Sequence, residues 1–217
     1  RRKKYCKPKK SSWFNYFGYI NILKNKLRYF SKKVFLCNTH LKLKKYFDVN
    51  IILSYSKKIP KKYLLYSKKN IVIHGSDLPK GRGMSPISHQ ILKGNKKVIF
   101  TLFEASKNID YGNYYFKKKV YFKGDELFAE IKKKQFLYTC TLLKKFLFHV
   151  KNRKKIFGRK QKGRSSYFKK RTKKDSEINI NKNIKSQFNL LRIVDNDNYP
   201  AFFKFKKNVY IIKIFKK

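Results

Sequence analysis

The sequence predicts an α/β fold: a mostly parallel sheet with helices on both faces and a short hairpin at the C-terminal end. Three observations carry this prediction. Over the first 150 residues, short apolar runs rich in β-branched and aromatic residues alternate with helical patterns, an order that sets helices against a sheet. One of those runs ends in His74 and leads into Gly75-Ser76-Asp77-Leu78-Pro79-Lys80-Gly81-Arg82-Gly83. A lone carboxylate, Asp110, then closes a later segment in Ile109-Asp110-Tyr111-Gly112. Proton-transfer side chains at strand ends, beside a loop whose glycines permit close approach, are how an open α/β sheet presents a site.

The elements follow in order. Residues 1–10 form a basic arm. Phe14, Phe17, Ile20, Leu23, Leu27 and Phe30 recur near a 3.6-residue period and predict a helix. Val34–Cys37 and Phe47–Leu53 read as strands, followed by a loop to Pro60 and a short helix to about Tyr66. Asn70–His74 is a buried strand by its β-branched content. Pro86–Leu92 reads as a helix ended by Gly94, Val98–Phe103 as a strand and Tyr114–Phe122 as an edge strand. The longest helix runs from Asp125 to about His149, with Asp125 and Glu126 in its first turn. Residues 151–173 read as an exposed basic loop. A last helix spans about 183–191, and Ala201–Phe205 with Val209–Ile214 form a hairpin.

Composition narrows the class. The chain has 217 residues, enough for a real core. Its 41% hydrophobic content excludes a disordered basic tail. The net charge is +47 and only nine of the 58 basic residues are Arg. Lys, Asn, Ile, Phe and Tyr are in excess together, and all have A/T-rich codons, so codon drift is one reading of the charge. The other is nonspecific binding to nucleic acid or another polyanion, since clustered Lys releases counterions from phosphates. The carboxylates fall in blocks, and residues 1–47 have none. Cys6, Cys37 and Cys140 show neither a disulfide framework nor zinc spacing, which suits a reducing, cytoplasmic setting. No apolar run approaches the roughly 18 residues of a membrane span. His40, His89 and His149 read as structural or exposed.

The residues His74, Ser76-Asp77-Leu78-Pro79-Lys80-Gly81-Arg82-Gly83 and Asp110-Tyr111-Gly112 resemble the signature of the formyltransferases that use 10-formyltetrahydrofolate, methionyl-tRNA and sugar N-formyltransferases among them. Gln90–Gly94, Thr101–Ala105, Gly124–Leu127, Arg171-Thr172 with Asp175–Ile178, and Tyr199–Phe203 are similar to later family segments, in the same order. The resemblance implies a Rossmann-like formyltransferase fold, with a catalytic domain over 11–170 and an extension over 171–217. It implies transfer of a formyl group from 10-formyltetrahydrofolate to an amine. His74 would shuttle the proton, because an imidazole titrates near neutrality, and Asp110 would orient and charge-support it in a triad-like way. Tyr55, Lys58, Ile59, Ser76, Leu78, Pro79 and Gly81 would bind the folate donor. No metal is implied. The chain length favours the amino group of a nucleotide-linked sugar as acceptor. The alternatives are methionyl-tRNA, which suits the charge, and a decayed nucleic-acid-binding member. The departure that bears on the chemistry is Val72, which stands where the family carries an Asn whose amide donates to the oxyanion; Met84, Lys173, Lys174 and the N-terminal arm depart as well. Loss of one such donor costs about 10²–10³ in rate.

Overall fold

A computed structural model describes residues 13–31 and 33–217. The basic arm at 1–10 lies outside them. The centre is a four-stranded sheet in the order β1-β2-β4-β5, formed by β1 (Phe47–Ile52), β2 (Ser67–His74), β4 (Lys97–Glu104) and β5 (Tyr114–Tyr121). β4 buries Phe100, Thr101, Leu102 and Phe103 in succession. Successive strand residues point to opposite faces, so both faces of β4 are covered. β5 is an edge strand, as its sequence predicts, and turns Lys117, Lys118 and Lys119 away from the core. Charged side chains on an edge discourage pairing with another chain.

The α/β class is as expected, but the strand directions are mixed. β1 and β2 are parallel, whereas β4 is antiparallel to both β2 and β5. The connections explain this. The helix between β2 and β4, α3 (Pro86–Leu92), has seven residues. It spans about 10 Å, too short to carry the chain back along the eight residues of β2, about 26 Å. The chain therefore re-enters the sheet at the end where β2 leaves it, with His74 opposite Thr101. β4 and β5 are joined by residues 105–113 with no helix between them, a connection that only antiparallel neighbours allow.

Two helices complete the core. α1 (Trp13–Leu27) buries Leu23, and its Tyr19 stacks on Phe136 with ring centroids 4.6 Å apart. α4 (Phe128–Lys151) packs Ile131, Leu142, Leu143, Phe146 and Leu147 against Ile71, Val98, Phe100, Leu102 and Val120 of the sheet. A short helix, α2 (Lys61–Leu64), links β1 to β2. Val34–Cys37 forms no strand, because no described strand lies beside it to complete a ladder. A smaller core gathers Leu191 of α5 (Ile184–Leu191), Val194 and Ala201, the first residue of the hairpin β7–β8 (Ala201–Phe205 and Asn208–Ile212). Among the described residues no helix is long and apolar enough to cross a membrane.

Asp125 and Glu126 precede α4 rather than filling its first turn; Glu130 takes that place and accepts from the Leu127 amide at 2.8 Å. Glu126 has another task. Its buried carboxylate accepts from the amides of Lys123 and Gly124, from Lys134 Nζ at 2.8 Å and from Arg192 Nη2 at 2.8 Å. Arg192 is itself buried and also donates to the Glu126 carbonyl. This pair ties the end of α5 to the start of α4. Burial pushes the Glu126 carboxyl up, but the bond from Lys134 and those from the two amides outweigh it and bring the group down to about 2. A depressed carboxylate stabilises the fold above its ordinary value of 4.5 and ceases to do so as pH falls through about 2. Glu126→Gln should therefore cost about 2–3 kcal/mol at neutral pH, part of it from the uncompensated Arg192. Melting curves of the two proteins should converge as pH falls from about 4.5 to about 2; a constant gap across that window would contradict the assignment.

Candidate active site

β2 ends at His74 because Gly75 turns the chain beneath α3: a Cβ on Gly75 would strike Ile87. The loop that follows is held at several points. Thr101 Oγ1 donates to the Ser76 carbonyl at 2.7 Å, Lys117 Nζ donates to the Leu78 carbonyl and pairs with Asp77, and Leu78 is buried. Two residues of the loop, Arg82–Gly83, form β3 and pair in parallel with β6 (Tyr167–Phe168).

His74 and Asp110 meet across this loop. His74 is 8% exposed, and its Nε2 lies 2.8 Å from the Gly81 carbonyl and 3.7 Å from Asp110 Oδ2. A carbonyl only accepts, so Nε2 carries the proton and Nδ1 keeps its lone pair. Nδ1 bonds no described residue. The Gly81 carbonyl thus fixes the ring, and Asp110 stands at ion-pair rather than hydrogen-bond distance from the same nitrogen. The geometry departs from a triad in that respect: the carboxylate is not the imidazole's hydrogen-bond acceptor. Asp110 itself has φ +57, a left-handed conformation that Asp tolerates better than most residues. Its Oδ2 accepts from the Gly83 amide at 2.8 Å.

Gly83 is irreplaceable at this point. Its φ is +95, and a Cβ would strike the carbonyl oxygen of Phe168. Gly83→Ala should separate β3 from β6, displace the amide from Asp110 and lower stability by about 2 kcal/mol. Thermal unfolding checks this; an unchanged midpoint would contradict it.

Val72 and Asn70 lie on the side of β2 that carries His74, two and four residues before it. Val72 is paired with Ile52 and Phe103 and offers only methyl groups. The Asn70 amide is already engaged: its Nδ2 donates to the Leu64 carbonyl at 2.8 Å and its Oδ1 accepts from Asn50 at 3.1 Å. Glu104 accepts from the Asn70 backbone amide and from the Tyr115 hydroxyl. Burial, then the bond to Glu104 and its charge, push the Tyr115 phenol well above its ordinary range. Asn70 is therefore a structural amide beneath the site.

The residues expected to bind the donor divide into two groups. Ser76, Leu78, Pro79 and Gly81 are buried within the loop, and the Ser76 hydroxyl, 2% exposed, has no hydrogen-bond partner among the described residues. Tyr55 and Ile59 line a broad groove with Leu53, Ser54, Lys57 and Ile73, the residue before His74. The Tyr55 hydroxyl bonds His40 Nδ1 at 2.7 Å. Lys58 is exposed and does not line that groove; its neighbour Lys57 does.

Sequence reasoning missed the segment 151–173, read as an exposed loop. The segment is mostly exposed and irregular, as expected, but it also runs along the site. Ser166 accepts from the Gly81 amide at 2.9 Å, and its carbonyl accepts from the Arg82 amide. Phe168 stacks on His89 at 4.7 Å. Arg82, 4% exposed, places its guanidinium 3.4 Å from the centre of the Tyr111 ring and bonds the Asp110 carbonyl, Gln161 and Tyr167. Hydrogen bonding to Tyr111 and Arg82 pulls the Tyr167 phenol below its ordinary value. The uncharged Gln161 and Ser166 among lysines were the available signal.

Residues 23–135, which include His74, the glycine loop and Asp110, match the model of the family described as formyl transferase. The chain belongs to the formyl transferase family. A methionyl-tRNA formyltransferase of Mycoplasma mycoides is 29% identical over 147 residues, 67% of this chain and 46% of that protein. The chain thus spans about half the length of this curated relative. Two solved structures share the fold. A methionyl-tRNA formyltransferase from Clostridium thermocellum superposes with TM-score 0.69 at 22% identity, covering 90% of this chain and 95% of the other. A likely sugar N-formyltransferase from Mycobacterium tuberculosis gives 0.72 at 13% identity, covering 90% and 92%. Gln161 and β6 lie beyond the stretch that the family model matches.

Proposed function

We propose that the chain transfers a formyl group from 10-formyltetrahydrofolate to the amino group of methionyl-tRNA. The observation that carries the reaction is the meeting of His74, Asp110 and the Gly83 amide within the family's glycine loop. The acceptor rests on the Mycoplasma relative and is favoured by the net charge of +47, which attracts a polyanion.

The residues present fit the donor. Leu53 and Ile59 would give an apolar wall for a flat heteroaromatic ring and Lys57 a cation for the glutamate carboxylates, although neither His74, Asp110 nor the 75–83 loop lines the groove these residues share. In the reaction the acceptor amine attacks the formyl carbon, and the bond from that carbon to folate N10 breaks. His74 Nδ1 takes the proton that the amine loses and returns it to N10. Asp110, at 3.7 Å, lowers the cost of the positive charge on the ring meanwhile. The Gly81 carbonyl fixes the ring by accepting from Nε2–H, which leaves the Nδ1 lone pair for the amine proton.

Transfer of labelled formyl from 10-formyltetrahydrofolate is measured with methionyl-tRNA and, separately, with a nucleotide-linked amino sugar. Turnover on methionyl-tRNA that weakens steeply with salt is the expected result. Turnover on the sugar alone would return the acceptor to the nucleotide-linked amino sugar first expected from the sequence. Binding of tRNA with no transfer to either would make the chain a binding protein.

A further inference from the structure

Gln161 lies between α4 and β6 with a lysine on either side. Its amide makes three hydrogen bonds, and all go to the machinery around Asp110. Oε1 accepts from Arg82 Nη2 at 2.7 Å. Nε2 donates to the carbonyls of Asp110 and Gly112, each at 2.8 Å. Arg82 reinforces the same point, since its Nε donates to the Asp110 carbonyl at 3.1 Å. The guanidinium is in turn held over the Tyr111 ring. Two carbonyls that flank Tyr111 are thus tied to one side chain.

The need for such a tie follows from the backbone. Asp110 is a non-glycine residue at φ +57, a conformation that costs about 1 kcal/mol or more and persists only where the surroundings impose it. Residues 105–113 carry no regular structure to impose it. The loop leaves β4 at Glu104, three residues past Thr101, the partner of His74. It must turn back by about 10 Å to bring its carboxylate to the imidazole. The chemical choice at position 161 is also specific. Lysine, the commonest residue of this segment, only donates and would repel Arg82. Glutamate only accepts and would face two carbonyl oxygens. An amide serves both partners.

We propose that Gln161 is a positioning residue: through the carbonyls of Asp110 and Gly112 it holds the Asp110 carboxylate against the Gly83 amide and His74. The proposal rests on reading His74 and Asp110 as the catalytic pair, but its test does not require formyl transfer. The Gly83 amide donates to Asp110 Oδ2, so its hydrogen-exchange rate reports where that carboxylate is. Exchange is measured by NMR on the full chain for wild type, Gln161→Ala, Gln161→Glu, Asp110→Ala and the double variant Gln161→Ala with Asp110→Ala, with the melting temperature of each. Both Gln161 variants should raise Gly83 exchange about tenfold, the loss of one hydrogen bond. Core amides of β4 should stay protected, and Gln161→Ala should add nothing on top of Asp110→Ala. If Gln161→Ala does not fold, Gln161→Glu, which retains the acceptor for Arg82, carries the test. Unchanged Gly83 exchange would overturn the proposal, and so would a rise matched across β4 and β5. Where transfer is measurable, kcat should fall about tenfold with both KM values unchanged. A chain that transfers no formyl group but shows the Gly83 effect would refute the reaction and leave the positioning intact.

Discussion

His74→Ala should reduce formyl transfer by about 10³-fold and leave the fold in place. The loss is chemical, since the ring assigned to move the proton is removed while the carboxylate beside it is kept. Asp110 sits at the opposite nitrogen, and its Oδ2 already accepts from Gly83. The fold survives because the loop does not depend on the ring. Thr101 holds the Ser76 carbonyl, Ser166 holds the Gly81 amide, and Lys117 holds the Leu78 carbonyl. The imidazole contributes one bond, to Gly81, so the melting point should fall by no more than about 4 °C, the effect of about 1 kcal/mol. Steady-state kinetics and thermal unfolding check both halves. Near-normal turnover in the variant would remove His74 from the mechanism.

Val72→Asn should raise turnover by about 10²-fold. On the family resemblance, the position two residues before the histidine supplies an amide donor to the oxyanion, and here it supplies methyl groups. The nearest amide on the same strand, Asn70, is consumed by Leu64 and Asn50 and stands too deep to replace it. The half-buried setting of Val72 admits a side chain of similar volume. The gain should appear in kcat with KM for the donor little changed, since the interaction is made where charge develops. No gain in a folded variant would mean that another donor, such as a loop amide, already serves.

The legible parts of the sequence were those where local chemistry decides structure. The β-branched run ending at His74, the glycine and proline loop, and the helices at Pro86 and beyond 125 all appear where the pattern places them. So does the meeting of His74 with Asp110, which the resemblance implied and the glycines make possible. Strand direction was not legible, because apolar periodicity does not encode it; the shortness of α3 and of the 105–113 connection does, and only once the pairing is seen. The role of 151–173 was hidden for a different reason. The segment is largely solvated, as its lysines indicate, yet it also adheres to the site through backbone pairing and a few uncharged side chains, Gln161, Ser166 and Phe168, that carry no periodic signal. Glu126 misled in the same way. Its position suggested a helix-dipole role, and its partner Arg192 lies far off in sequence.

The most direct test of the account is single-turnover transfer of labelled formyl from 10-formyltetrahydrofolate to methionyl-tRNA, run with wild type and His74→Ala side by side. The account predicts label on the methionyl amine with wild type and about 10³-fold slower transfer with the variant. Equal rates, or no transfer with either protein on any amine acceptor, would contradict it.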